Sequence, residues 1–371
     1  MQSQSVLIIG GGIAGLTSAI ALGNSGHKVE VIEKDPEWSV YGVGIIQQAN
    51  VVRAMAELGI IDEFINASFG FNFVEVYKPD GEMAARIPVQ PLVEGYPANV
   101  GIGRPALHKV LGDCAISAGA NVRLGITADE INDSGSKVTV TFSDGSTGVF
   151  DLVVGADGVY SKTRSMVLPN AGGPKFIGQS VWRYNFKRPD DLDALRAYEG
   201  PIGCGLVPLS KELMYMYVTT PEPGNPRYTH DQLAESMRAK LSNAPPGIAE
   251  YVDQITDNDA VVYKPLEPYF LDREWFEGNV IVIGDAAHAT TPHLGQGAGL
   301  AIEDSIVLAE ELEKAASVAA AFTAFQERRF ERCKYIVDAS LAICRSQLGE
   351  GPAVDQGKAT GEMMQVVSQP I

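Results

Sequence analysis

Glycine and aspartate gather in three tight clusters, each able to press bare backbone against a phosphate or a sugar. Gly10-Gly11-Gly12-Ile13-Ala14-Gly15 stands near the start, Gly155-Ala156-Asp157-Gly158 in the middle and Gly284-Asp285-Ala286-Ala287-His288 late in the chain. Glycine lets amide N–H groups approach an anion closely, and a helix starting there adds donors and partial positive charge. In the first cluster Gly10 permits a tight turn, Gly12 gives the backbone access to a pyrophosphate and Gly15 lets the helix pack on its strand. Glu33 lies 23 residues after Gly10, where a carboxylate reaches the hydroxyls of an adenosine ribose, and Lys34 follows it.

The surrounding pattern must place these groups. Val6–Ile9 is a short apolar run, Ala14, Leu16, Ala19, Ile20 and Leu22 keep helical spacing, Gly26 closes that helix and 28–33 reads as a second strand. This β-turn-α-β unit alone suits NAD or FAD. Residues 47–66 and 104–118 read as helices, 71–77 and 83–89 as strands around Pro79-Asp80-Gly81, and 137–142 and 150–154 as a hairpin feeding the middle cluster. From about 175 to 264 short β-like runs alternate with turns. Val280–Ile283 feeds the last cluster, helical patterns cover 298–315 and 317–348, and the Gly-, Gln- and Pro-bearing tail from Gly349 reads as a frayed end or packed arm.

The later clusters decide between the cofactors. Asp157 and Arg164 sit in D-x-x-x-G-A-D-G-x-x-S-x-x-R, where Arg164 could neutralise phosphate. In Gly284-Asp285-Ala286-Ala287-His288-x-x-x-Pro292-x-x-Gly295-Gln296-Gly297, Asp285 would accept a ribityl hydroxyl, and the backbone of Gly295, Gln296, Gly297, Ala298 and Gly299 could stabilise charge at the flavin N1–C2=O edge. One cofactor touched from three distant stretches is FAD. Ile13 and Ala14 complete its phosphate loop.

On these motifs, over roughly residues 5–345, the chain resembles the single-component, class A flavoprotein monooxygenases, a family that includes salicylate, 3-hydroxybenzoate and hydroxypyridine hydroxylases. The resemblance implies that Asp157 serves both FAD and a nicotinamide cofactor, that Arg104 of Arg104-Pro105-x-Leu107 contacts the flavin, and that Gly42-Val43-Gly44-Ile45 lies over the isoalloxazine ring. Gly44 and Ile45 therefore join the cofactor set. Gly299 stands where the family often carries Asn. The implied reaction uses NADH or NADPH and O2 to hydroxylate a small phenolic or hydroxy-heteroaromatic substrate through a flavin C4a-hydroperoxide. Alternatives are attack on a non-aromatic alkene or enol, or redox work on a protein partner.

Substrate candidates lie in the β-rich insert and beside the last cluster. Arg183 could pair with a carboxylate or phenolate, and Tyr184, Tyr215 and Tyr217 could bond a hydroxyl; Pro292 and His293 follow the last motif. Residues of one parity on a strand face one way, so only some of these can reach the site. His288 and His293, five apart, lack a third ligand nearby, and no metal is expected. No nucleophile elbow supports hydrolysis. Trp38, Trp182 and Trp275 are isolated, unlike a halogenase signature, and Gly200-Pro201-Ile202-Gly203-Cys204-Gly205 precedes no helix, which argues against a separate NAD domain.

The expected fold is α/β: a Rossmann-like FAD-binding domain, three-layered with a mainly parallel sheet (1–70, 101–174 and 275–349, with the C-terminal helices). An inserted, mostly antiparallel β-sheet substrate domain (71–100 and 175–274) and a tail (350–371) complete it. The 371 residues carry a formal charge of −17, which disfavours nucleic acid. Four cysteines without C-x-x-C spacing, a start lacking a basic leader region and a first apolar run broken by glycines point to a cytoplasmic protein, monomeric or homodimeric, with no membrane partner.

Overall fold

The computed structural model describes residues 3–200 and 202–371; Met1 and Gln2 of the leader reading and Pro201 of the glycine-rich run lie outside them. A six-stranded sheet carries the three clusters. Its order is Phe276–Glu277, Val280–Val282, Leu152–Gly155, Ser5–Ile9, Lys28–Glu33 and Asn121–Leu124. All neighbours run parallel except the first pair. Strand ends of a parallel sheet share one edge, so Gly10, Glu33, Asp157 and Asp285 converge there although they are far apart in sequence. Both faces are covered, as a parallel sheet requires: Ile13–Asn24, Arg104–Ser117 and Gly297–Lys314 belong to the main core, and the hairpin sheet 128–150 closes the other face.

A seven-stranded sheet forms the insert, in the order Val262–Pro265, Gln179–Lys187, Leu213–Pro221, Gly203–Pro208, Leu195–Tyr198, Phe73–Tyr77 and Met83–Pro88. It is antiparallel apart from the pairing of Leu195–Tyr198 with Phe73–Tyr77. Its two faces divide the labour. Trp182, Tyr184, Phe186, Met214 and Met216 pack under Leu233–Lys240 and Pro246–Val252. The opposite face meets a three-stranded sheet built from Gly44–Gln47, Asn99–Gly103 and Phe69–Phe71. That contact is close: a Cβ on Gly101 would lie 1.9 Å from the Pro208 carbonyl oxygen, and one on Gly44 2.3 Å from the Tyr215 ring.

Several expectations need correction. The helix anticipated over 47–66 is two helices, Ala49–Glu57 and Ile61–Asn66, separated at Gly59, whose φ of 74° is left-handed. The strand anticipated over 71–77 is broken at Asn72, and its halves join different sheets. Of the two readings of the tail, the packed arm holds and the frayed end does not; the arm is helical. Gln356–Ser368 is a helix with Met363 and Val367 fully buried, and Arg53 and Arg332 donate to its last carbonyls, from Val366 to Gln369. No helix among the described residues is long and apolar enough to cross a membrane.

Candidate active site

The cofactor cradle begins at the first glycine turn. Gly10 has φ 112°, and a Cβ there would lie 2.4 Å from the Ala156 carbonyl oxygen; at Gly15 the clash would be with Gly10 O at 1.8 Å. Both glycines are therefore steric necessities of the turn. Gly12 is different: a Cβ would meet nothing within 4 Å, because this residue borders an open groove. The Glu33 carboxylate accepts from Gly11 N–H at 2.8 Å and from Asp35 N–H at 2.9 Å, leaving acceptor capacity for a ribose.

The middle cluster is used inwardly. Asp157 accepts from Ser161 Oγ, from Thr163 N–H at 2.9 Å and from Thr163 Oγ1 at 3.0 Å, which fixes the start of the Lys162–Val167 helix. Arg164 is buried, donates to the carbonyls of Ala286 (2.7 Å) and Val159 (2.9 Å), and lies over the Tyr269 ring. It ties the middle cluster to the last one and does not reach out to a phosphate, contrary to the sequence expectation. The reason is that the Ala286 carbonyl comes within reach only when Leu152–Gly155 and Val280–Val282 become neighbours, while Val159 is supplied locally from the same loop.

Asp285 and Arg104 face open space in the cleft, with no hydrogen-bond partner among the described residues for either charged group. Asp285 is solvent-accessible, yet the surrounding protein raises its pKa above the ordinary carboxylate value, against the pull of His288 and Arg104. Burial lowers Arg104, while Tyr215, Asp285 and Tyr41 oppose the shift. Such a set fits FAD: an open glycine groove, an acceptor placed for ribityl hydroxyls and a cation beside them.

Arg183, Tyr215 and Tyr217 share the face of the insert that looks into this cleft, Arg183 being opposite Tyr217 in register. Burial, reinforced by repulsion from Arg104, pushes the Arg183 guanidinium down to about 10, so it remains a cation at neutral pH. No carboxylate pairs with it among the described residues. The rings of Tyr215 and Tyr217 lie 6.3 Å apart, and burial raises both phenols above the usual tyrosine range. Tyr184 points the other way, into the apolar layer beside Phe186, because adjacent residues of a strand face opposite sides. Asn185 donates to the Gly42 carbonyl at 2.6 Å and anchors the loop leading into Gly44 and Ile45.

His293 is also tied back. Gln347 Oε1 accepts from Gln179 Nε2 at 2.9 Å and from His293 Nε2 at 3.1 Å, while His293 Nδ1 accepts from Thr291 Oγ1 at 2.9 Å. Burial pushes this imidazole down to about 4, so it is neutral. It fastens the Pro292–Leu294 turn to the long Val318–Gln347 helix. Gly295 follows with a left-handed φ of 67°, and Gln296 is fully buried against Gln48 and Asn50. Gly299 has a physical reason: a Cβ would lie 2.6 Å from Gln296 Oε1 and 3.2 Å from Asn50 Nδ2, so Asn50 already fills that space.

Sequence reasoning passed over what lies behind this loop. Glu303 accepts from Asn50 (3.0 Å), Arg329 (2.8 Å) and Arg332 (2.8 and 2.9 Å). Asp304 accepts from Arg329 (2.8 Å), Gly284 N–H (2.9 Å) and His288 (2.6 Å). The Glu303-Asp304 pair in a helix otherwise rich in apolar residues was the available signal. Burial alone would raise both carboxyls, but their cationic partners hold both below the carboxylate range; burial likewise opposes the His288 imidazolium, which Asp304 holds well above its usual value. Ligand-type atoms of His288, Asp304 and Cys333 lie within 4.8 Å of one another. The guanidinium of Arg329 already supplies the positive charge at Asp304, so the cluster is a buried ion-pair network.

A family described as FAD binding domain matches residues 3–340. The chain belongs to that family, and it is an FAD-dependent monooxygenase. It is 31% identical to a 2-heptyl-3-hydroxy-4(1H)-quinolone synthase of Pseudomonas aeruginosa over 94% of this chain and 91% of that one. It is 29% identical to an FAD-dependent urate hydroxylase of Mycolicibacterium vanbaalenii over 95% and 90%. In fold it matches Klebsiella pneumoniae HpxO complexed with FAD and uric acid (TM-score 0.84, 24% identical, covering 98% of this chain and 93% of that one). The parallel sheet, the antiparallel sheet and the C-terminal helices are thus this monooxygenase's shared architecture.

Proposed function

We propose that this monooxygenase uses NADH or NADPH and O2 to hydroxylate a small aromatic or heteroaromatic compound bearing an acidic OH, NH or carboxyl group. Bound FAD supplies the electron transfer and oxygen activation that no side chain can perform. One oxygen atom enters the ring, and the other leaves as water with the two electrons of the nicotinamide cofactor.

The observation carrying this reading is Arg183: a cation in the cleft, opposite Tyr217, with no carboxylate among the described residues to neutralise it. A half-buried charge without a partner carries a desolvation cost, and an anionic ligand would offset it. Arg183 would hold the anion while Tyr217, its phenol kept protonated by burial, donates to the ring substituent. The close seating of the insert on Gly44 and Gly101 limits water entry. The relatives named for urate and a quinolone support a nitrogen heteroaromatic.

The test is a screen of aromatic and heteroaromatic acids, following oxygen uptake beside product mass. Stimulated NAD(P)H oxidation with a product heavier by one oxygen supports the reading. An epoxide from an alkene, or no stimulation by any anionic aromatic compound, refutes it.

A further inference from the structure

The Gly11 carbonyl is held by two side chains from outside the glycine motif. Trp38 Nε1–H donates to it at 3.0 Å, and His108 Nε2 lies at 3.0 Å from the same oxygen. A carbonyl only accepts, so this histidine nitrogen carries the proton. The two rings meet edge to face, with centroids 5.0 Å apart at 88°. Trp38 has φ 49°, a left-handed conformation rarely adopted by a bulky side chain. Asp35 secures that turn, accepting from Glu37 N–H at 3.0 Å and Ser39 N–H at 2.9 Å. Glycines give the indole room: a Cβ on Gly11 would lie 2.6 Å from Trp38 Nε1, and one on Gly112 3.3 Å from the ring.

In a trans peptide the C=O of one residue and the N–H of the next point in opposite directions. Fixing Gly11 C=O therefore fixes Gly12 N–H, which has no acceptor among the described residues and belongs to the residue bordering the open groove. We propose that Trp38 and His108 form a clamp that aims the Gly12 N–H at the FAD pyrophosphate, acting as positioning residues that set FAD affinity. A structural strain at Trp38 is thereby converted into a preorganised donor.

The experiment measures the Kd for FAD by flavin fluorescence on full-length protein freed of cofactor, together with the melting temperature of each apoprotein. Trp38→Phe keeps an aromatic, though smaller, ring and removes the N–H; His108→Ala removes the second donor; His108→Gln offers an amide N–H at a similar reach. Each lost donor is expected to raise Kd about five-fold, the effect of one net hydrogen bond, and the double variant about 25-fold, with His108→Gln recovering most of the loss. A double variant that melts like the parent and binds FAD within two-fold of it overturns the clamp. Equal Kd values for His108→Gln and His108→Ala overturn it too, and that pair decides should the double variant not fold.

Discussion

Two groups of charged residues lie close together in this molecule and are treated in opposite ways. Behind the flavin loop, Arg329, Arg332, Glu303, Asp304 and His288 satisfy one another almost completely. In the cleft, Arg104, Arg183 and Asp285 have charged groups without hydrogen-bond partners among the described residues. The first group holds helices together, whereas the second makes no such ties among the described residues and, under the proposed function, meets the ligand. The contrast lies in both burial and partnership: the ion-pair set is largely enclosed, whereas Asp285 is exposed and Arg104 and Arg183 are half-buried. Removing one member of the satisfied set should therefore be the most damaging change: Arg329→Met takes a fully buried cation from both Glu303 and Asp304, leaving them only Arg332 and His288 as cations. We expect a loss of about 3–5 kcal/mol, read from the denaturant midpoint of the apoprotein, and a midpoint equal to the parent's would break the comparison.

The satisfied network also reaches the chain's end, since Arg332 bonds both Glu303 and the carbonyls of the Gln356–Ser368 helix. A stop codon after Gly349 removes the packing of Met363 and Val367 and takes the helix-end carbonyls from Arg53 and Arg332, the latter keeping Glu303. Loss of about 2–4 kcal/mol is expected, from two buried apolar side chains at about 1.5–3 kcal/mol each with partial relaxation. Thermal melts of the truncated and full chains measure it. An unchanged melt would mean that the last helix is only an appendage.

How far the sequence reveals this division depends on how local each requirement is. Gly10, Gly15, Glu33 and Asp285 were legible because tight turns and strand-end acids impose residue types at fixed spacing. The tail helix was not, since Gly357 and Gly361 weaken its propensity and its support comes from Arg53 and Arg332, hundreds or tens of residues away. The alternation rule already forbade Arg183 and Tyr184 from sharing a face, but only the apolar layer around Phe186 tells which of them faces the cleft. Arg164 was recognisable as a motif residue, yet its partners are carbonyls of Val159 and Ala286 that no spacing rule reveals. Side-chain direction, more than element identity, is where reading from residues stops.

His293 sharpens the boundary between the two groups because it stands beside the cleft but is bonded like the structural set. Its folded pKa of about 4 lies below the unfolded value near 6.5, so the unfolded state binds the proton more tightly. This residue's stabilising contribution is present above pH 6.5 and declines as pH falls from there to about 4. The full linkage is about 3 kcal/mol, reduced to about 2 by the residue's partial exposure. His293→Gln should remove that slope, so subtracting the variant's pH–stability curve from the parent's isolates it from His288, whose raised pKa acts with the opposite sign. Parallel curves over that window would remove His293 from the structural set.

The smallest expected change in stability is the one that distinguishes the groups most cleanly. Arg183→Met in the apoprotein removes a cation that has no partner to lose, so its stability should stay within about 0.5 kcal/mol of the parent or rise slightly as a desolvation cost disappears. The same substitution should raise the KM for an anionic substrate by about ten-fold or more, since a charge-assisted hydrogen bond contributes about 1.5–3 kcal/mol. Uncharged analogues should be nearly unaffected. Arg329→Met predicts the reverse order of effects, a large loss of fold and no selectivity between charged and neutral substrates. If Arg183→Met instead melts as early as Arg329→Met, the cleft cation has a structural partner and the two groups are one.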